Sequence, residues 1–134
     1  MTGSPEAGFV NVPTRARFIQ LTTYRRSGAG VPTPLWFARN DRGGLYMVTH
    51  ATAGKLKRLR SNPRVAVAPC RGQGTPTGPE QEGTARVLSD DERPRAARAI
   101  SRRYFFIPRA LIELEMRRRG RGQAPVYLEA TPGA

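Results

Sequence analysis

The chain has 134 residues, of which 23 are basic and 10 acidic, and its net charge is +13 at pH 7. This length suits one globular domain, 1–134, and the charge favours an anionic partner: nucleic acid, a membrane surface or a charged small molecule. The sequence has no apolar run near the roughly 20 residues of a membrane span, no signal-peptide pattern and no second cysteine for a disulfide, so we expect a cytoplasmic protein without a membrane partner.

The first third of the chain has the pattern of antiparallel strands. β-favouring residues alternate in three extended segments, and turn residues rich in Gly, Asn and Asp separate them: 17–25, 31–39 and 45–50. Pro32 and Pro34 lack an amide donor, so they confine the second segment to an edge or a bulge. Residues 1–13, which precede the first segment, and 132–134 are expected to be loose termini.

The next segment, 52–62, predicts a short helix of about two or three turns. Thr52 is a candidate N-cap, Leu56 and Leu59 recur three residues apart, and Asn62-Pro63 ends the helix. Projection at about 100° per residue puts Lys55 and Arg58 beside the leucine stripe and Lys57 opposite it, toward water.

The remainder of the chain predicts three more strands and two helices. The strands are 64–70, 82–88 and 124–131. The first helix, over 89–104, starts with a capping box of Ser89 and Glu92, and the second, over 109–119, has Leu111, Leu114 and Met116 as its apolar side. Because strands dominate and hairpin turns join most of them, we expect a mainly β fold with a few short helices, a six-stranded antiparallel barrel.

The helix at 52–62 is the best candidate for a binding site. All but two of the 23 basic residues are arginines, and both lysines, Lys55 and Lys57, lie here. Free amides at the helix start, close approach at Gly54 and the charges of Lys55 and Arg58 would cradle a phosphate, with Thr52 beside them. The segment is not a Walker loop, because Leu56 stands where Ser or Thr should follow the lysine. From the pattern alone, surface lysines on a solvated face are an equal alternative.

Other conspicuous residues suggest structural roles when taken singly. Trp36 is interpreted as a core aromatic residue, and His50 has no neighbouring acid or serine and is given no role. Cys70 is interpreted as a small packing residue, and the sequence has no spacing typical of a metal site. The arginines are spread along the chain without a nucleic-acid-binding motif, so a specific nucleic-acid role is the weaker hypothesis.

Three segments together resemble a known family: "GAGVPTPLWF", "THATAGKLKRLRSNPRVAVAPC" and "GPEQEGTARVL". In order and spacing they are similar to the pyridoxamine 5'-phosphate oxidase-like split-barrel proteins, and most of all to the actinobacterial flavin/deazaflavin oxidoreductases that use coenzyme F420. The resemblance runs from about Arg17 to Thr131. It implies an FMN-binding type of split β-barrel and a homodimer with cofactor sites at the subunit interface.

The resemblance also implies roles for individual residues. Lys55 would bind the cofactor phosphate, and Thr49, Thr52, Gly54 and Arg58 would surround the same tail. The ring and the pocket wall would lie near a second set of residues: Pro34, Trp36, Pro69 and Cys70. Many relatives have Ser where this chain has Ala53, and here a hydroxyl stands one residue earlier, at Thr52.

The activity implied is transfer of a hydride from reduced F420 to a small organic acceptor, with the protein holding both partners together. An FMN-dependent oxidoreductase of the same fold and a non-catalytic F420-binding or sequestering protein are the alternatives. The sequence identifies neither the acceptor nor a catalytic residue. It leaves open whether Arg117–Arg121 contact the cofactor tail, and we interpret them as solvent-exposed.

Overall fold

The computed structural model describes residues 8–72 and 74–133. It contains six strands and three helices, in the order β1 (Phe18–Tyr24), β2 (Gly30–Arg39), β3 (Leu45–Thr49), α1 (Gly54–Ser61), β4 (Arg64–Cys70), β5 (Gln81–Val87), α2 (Arg93–Arg103), α3 (Arg109–Arg119) and β6 (Val126–Pro132). None of these helices is long and apolar enough to cross a membrane.

The strands close into an antiparallel barrel in the order β1-β2-β3-β6-β5-β4. This confirms the predicted mainly β fold and its six-stranded barrel. Pro32 and Pro34 lie in the part of β2 that pairs only with β1, since β3 pairs with residues 36–39. The missing proline amides therefore interrupt no second ladder, as the sequence predicted.

Two hydrophobic clusters fix the barrel and its helices. The first fills the barrel with alternate residues of the strands, among them Ile19, Leu21, Phe37, Met47 and Leu128, and includes Leu56 and Leu59 of α1. The second lies outside the barrel, where α2 and α3 cover β3 and β6 with Ile100, Ile112 and Met116 against Val48 and Tyr127. Because successive side chains of a strand point to opposite faces, the same strands contribute residues to both clusters.

The amino-terminal segment is packed rather than loose from residue 8 onward. Phe9 and Val12 are both fully buried in the barrel cluster, and the Phe9 amide donates to the carbonyl of Gly43 at 3.1 Å. Gly133 donates to the Glu82 carbonyl at 2.9 Å, so the other end is also tied down to that residue. The expectation of loose ends at residues 1–7 and 134 lies outside the described residues.

The side of α3 that packs against the protein differs from the side that the sequence predicted. Leu111 and Leu114 are 55% and 61% exposed, whereas Ile112 and Met116 are buried. Apolar residues occur on more than one side of this helix, and Ile112 and Met116, spaced i and i+4, are the pair that contacts the sheet. The predicted inward side was therefore wrong for both leucines.

The predicted capping box of α2 is present only in part. The helix begins at Arg93, and Glu92 accepts hydrogen bonds from the Ser89 amide at 3.0 Å and from the Ser89 hydroxyl at 3.1 Å. The hydroxyl therefore donates to the carboxylate instead of accepting from the Glu92 amide. Arg86 also binds this carboxylate, through two hydrogen bonds of 2.9 and 2.6 Å, which holds it toward the sheet.

Candidate functional site

A buried lysine stands where β3 leads into α1. Lys55 is only 6% exposed, and its Nζ donates to the hydroxyl of Thr49, itself buried, at 3.2 Å. An ammonium group has three donors, so this contact leaves two. Within the described part of the chain, Lys55 forms no ion pair with a carboxylate. A buried cation without an anion is costly, and such a group points to a bound anion.

Arg58 extends this site toward the end of β1. Its Nε donates to the Thr23 hydroxyl at 2.6 Å. Gly54 permits that arrangement, because a Cβ there would lie 3.0 Å from a terminal guanidinium nitrogen of Arg58. The sequence assigned the glycine to ligand approach, and the structure adds that it makes room for the arginine. We call Thr23, Thr49, Gly54, Lys55 and Arg58 the cationic cradle.

Sequence reasoning missed Thr23, although a signal was available. Thr23 follows Ile19 and Leu21 on the face of β1 that points into the barrel, and it is completely buried. A polar residue at the inward position of a strand end needs a hydrogen-bond partner. The partner, Arg58, lies 35 residues further along the chain, so no local pattern indicates it.

Thr52 lies close to the cationic cradle but does not cap α1. The N-cap is Ala53, the helix has no side-chain cap, and its first turn contains no acidic residue. The Thr52 hydroxyl instead donates to the carbonyl of Arg119 at 3.0 Å and lies 3.0 Å from Nδ1 of His50. The first amides of α1 are therefore left without a side-chain acceptor, as an anion-binding helix start requires.

The charges around the cationic cradle have the same sign. Burial, followed by the charges of Arg58 and Arg119, lowers the pKa of Lys55 to about 8. Burial and the charges of Lys55 and Arg119 also lower the pKa of His50, and burial and Arg25 lower the pKa of Arg58. Because each shift reflects desolvation and cation repulsion, an anionic ligand would stabilise all of these charged forms.

The predicted ring-site residues are divided between the two faces of the sheet. Pro34 pairs with Gln20 and Cys70 with Phe18, while the Trp36 ring lies 6.4 Å from the Phe18 ring, so these three predicted residues share the outer face. Pro69 alternates with Cys70 and belongs to the opposite face. The structure thus brings Pro34, Trp36 and Cys70 to one surface and turns Pro69 away from it.

A cleft of about 360 Å³ opens beside Trp36. Aromatic rings and arginines dominate its walls: Phe18, Trp36, Tyr104, Phe106, Arg15, Arg17 and Arg103. The Trp36 and Tyr104 rings lie 5.3 Å apart, and the Tyr104 hydroxyl donates to the Arg17 carbonyl at 2.7 Å, which fixes the wall. Stacking surfaces and cations suit a planar anionic molecule. Sequence reasoning missed Tyr104 and Phe106, which follow α2.

The cleft and the cationic cradle involve adjacent residues of β3 but lie on opposite faces of the sheet. Trp36 of β2 pairs with Val48 of β3, the residue before Thr49. Val48 lies on the outer face with Trp36, whereas Thr49, which ends β3, points to the inner face with Met47.

The remaining candidates do not supply an evident catalytic group. Burial raises the pKa of the Cys70 thiol, which favours the unreactive protonated form. The described residues contain no group of three or more His, Cys, Asp or Glu side chains placed to hold a metal ion. The aromatic walls of the cleft and the cations of the cradle are suited to positioning bound molecules.

Solved structures with the same architecture come from several bacteria. A conserved hypothetical protein of Mycobacterium tuberculosis has a TM-score of 0.64 at 18% identity, covering 95% of this chain and 86% of its own. HutZ, the heme storage protein of Vibrio cholerae, has 0.65 at 13%, covering 90% and 84%. A pyridoxamine 5'-phosphate oxidase-related, FMN-binding protein of Nostoc punctiforme has 0.61 at 15%, covering 87% and 72%. At these identities the likeness establishes the fold alone.

Family membership follows from the sequence. No curated protein matches this chain. The sequence profile of the pyridoxamine 5'-phosphate oxidase family matches residues 8–122, which include the barrel from β1 to β5, the cationic cradle and the cleft. The chain therefore belongs to the pyridoxamine 5'-phosphate oxidase family.

Proposed function

We propose that this protein is an oxidoreductase that binds coenzyme F420 and passes a hydride from its reduced ring to a small organic acceptor. The observation that carries the proposal is Lys55, a buried ammonium with a hydroxyl neighbour and two free donors at the start of α1. Phosphate is the cofactor group that such a donor set fits best.

The cationic cradle would hold the cofactor phosphate through three kinds of donor. A hydrogen bond to Thr49 orients the Lys55 ammonium, and a hydrogen bond to Thr23 orients the Arg58 guanidinium. The first amides of α1 add their N–H donors and the helix dipole. Thr52 is close by, but its hydrogen already goes to the Arg119 carbonyl. Its contact with a phosphate, which the resemblance implied, would need that bond to change.

The ring would lie toward the cleft and the outer face that carries Pro34, Trp36 and Cys70. When bound, the reduced deazaflavin supplies the hydride. Trp36 and Phe106 would offer planar faces on which the bound groups stack. Arg15 and Arg17 at the same cleft favour an acceptor with negative charge. The proposal assigns no catalytic residue.

FMN is the alternative cofactor, because it too has a planar ring and a phosphate and because the related Nostoc punctiforme protein binds it. F420 is favoured by the excess of positive charge: its tail carries carboxylates beyond the phosphate, and Arg25 and Arg119 add charge around Lys55 and Arg58. Both ligands use the same cationic cradle, so binding measurements must separate them.

Titration of the purified apoprotein with F420 and with FMN tests the proposal. We expect F420 to bind more tightly and the reduced cofactor to be oxidised when a quinone, an enone or a tetrapyrrole is added. Absence of F420 binding would overturn the proposal, and a yellow protein that retains FMN would favour the flavin alternative. Tight F420 binding without hydride transfer to any acceptor would instead indicate a sequestering protein.

We also propose that the protein forms a homodimer with the cofactor sites at the subunit interface. Support comes from a set of large apolar side chains left exposed around α3: Phe105, Phe106, Leu111 and Leu114. Phe106 also lines the cleft, which would place the cleft at the edge of such an interface. Analytical ultracentrifugation should give a mass of twice the 14.8 kDa of one chain, and a monomer at micromolar concentration would contradict the dimer.

A further inference from the structure

The carboxyl-terminal end of α3 lies against the turn between β3 and α1. The Thr52 hydroxyl donates to the Arg119 carbonyl at 3.0 Å. Gly120 is buried there, and a Cβ on it would come within 3.1 Å of the Ala51 amide nitrogen. The end of α3 therefore packs directly beside the residues that lead into the cationic cradle, although 67 residues separate Thr52 from Arg119 in sequence.

Among the arginines that end α3, Arg119 is the one whose charge reaches the site. Its charge contributes to the lowered pKa of both Lys55 and His50, whereas Arg117, Arg118 and Arg121 contribute to neither. Arg117 instead donates to the Gly122 carbonyl at 3.4 Å. The four arginines that look equivalent in sequence thus differ in the structure.

The present partner of Arg119 is an acid that it shares. Arg119 Nε is 2.7 Å from the Glu115 carboxylate, and Arg118 binds the same carboxylate at 2.9 Å. The Arg119 side chain is 55% exposed, and ion pairs this exposed contribute little to stability. If Arg119 leaves, Glu115 keeps Arg118, so release of Arg119 does not strand a carboxylate.

We propose that Arg119 is an additional anion-binding side chain of the cationic cradle, which exchanges Glu115 for a ligand with at least two negative charges. The geometry gives α3 a role in ligand binding, because its end packs beside the residues that lead into the cationic cradle. This deepens the proposed function, since it concerns the anionic part of the same ligand, and it applies equally to any polyphosphate or phosphate-carboxylate ligand.

The test compares three single variants in titrations with inorganic pyrophosphate at low salt. Arg119→Gln removes the proposed ligand, and Arg118→Gln is the matched control because it shares Glu115 but not the site. Glu115→Gln removes the competing acid. We expect Arg119→Gln to weaken pyrophosphate binding about 5- to 20-fold. Arg118→Gln should stay within about twofold, and Glu115→Gln should tighten binding about 2- to 5-fold.

Equal effects of Arg119→Gln and Arg118→Gln, or no pyrophosphate binding by the unaltered protein, would overturn this inference. Parallel titrations with F420 and FMN separate it from the proposed function. If the variants differ toward pyrophosphate while neither cofactor binds, the oxidoreductase proposal fails and the role of Arg119 stands. If F420 binds but both arginine variants bind it and pyrophosphate alike, the role of Arg119 fails alone.

Discussion

Two buried charged side chains in this protein, Glu129 and Lys55, have opposite surroundings. Glu129 on β6 is 5% exposed and accepts hydrogen bonds from Asn40 at 2.8 Å, Arg86 at 2.9 Å and Arg42 at 3.2 Å. Lys55 is 6% exposed, and the hydrogen bond it makes is to a neutral hydroxyl. The acid is neutralised by its own chain, whereas the lysine is surrounded by further cations.

This difference distinguishes structure from function. A buried charge that is paired and hydrogen-bonded holds neighbouring strands together, and its removal lowers the stability of the folded protein. A buried charge without a counterion lowers stability and is retained for what it binds. The Glu129 cluster should therefore respond to substitution mainly in folding, and the cationic cradle mainly in binding.

The largest effect is expected at the neutralised charge. Glu129→Ala should lower the free energy of unfolding by about 2–4 kcal/mol, because Asn40, Arg42 and Arg86 lose a common acceptor. Urea unfolding measures the change. Glu82→Ala is the matched control: its pair with Arg64 is exposed on both sides and should be worth under about 1 kcal/mol. Equal losses of unfolding free energy in the two variants would mean that Glu129 stabilises the fold no more than an exposed ion pair does.

The opposite sign is expected at the cationic cradle. Lys55→Met should raise the free energy of unfolding at pH 7 by about 1–3 kcal/mol, because an ammonium whose pKa falls from 10.5 to about 8 on folding disfavours the folded state. The same urea experiment applies, with Lys57→Met, an exposed position, as the control that should not change. A destabilised Lys55→Met protein would mean that Lys55 is a structural residue.

Binding of F420 or FMN should weaken as the pH rises above about 8. Below its pKa of about 8 the free Lys55 side chain is already charged, so binding takes up no proton there. Above it, the ligand must restore the proton, and affinity should fall by up to about tenfold per pH unit. Fluorescence titrations between pH 7 and 10 test this. The Lys55→Met variant should lose the slope, and a flat profile in the unaltered protein would contradict the assignment.

The smallest effect is expected at the hydroxyl that positions Arg58. Thr23→Val removes the acceptor of the 2.6 Å hydrogen bond and should weaken cofactor binding by about 0.5–1.5 kcal/mol. Thr33→Val is the matched control on the neighbouring strand, since the Thr33 hydroxyl is buried and has no hydrogen-bond partner among residues 8–72 and 74–133. Calorimetric titration should show weaker binding only for Thr23→Val, and matching affinities would mean that Arg58 does not need Thr23.

The sequence was sufficient for the barrel because the strands carry their own alternation and the hairpin turns between β1 and β2, β2 and β3, and β4 and β5 contain glycine. It was also sufficient to separate Lys55 from Lys57, since one helical projection sets both, and the structure buries the first and exposes the second. Local periodicity thus explains why the start of α1 could be predicted.

The features that sequence reasoning missed depend on contacts between distant segments. Thr23 meets Arg58, and the end of α3 meets Thr52, across 35 and 67 residues. The inward side of α3 was misassigned for the same reason, since packing on the sheet selects Ile112 and Met116 over Leu111. Residues that complete a site from another element carry no spacing pattern of their own.

The affinity of F420 for two lysine variants, measured side by side at pH 7, shows whether Lys55 binds the cofactor phosphate. Lys55→Ala should weaken binding by about 1.5–3 kcal/mol, because a charge-assisted hydrogen bond to the phosphate is lost, while Lys57→Ala on the exposed side of the same helix should leave it unchanged. Equal effects of the two substitutions would contradict the central claim that the buried Lys55 ammonium is the anion-binding group.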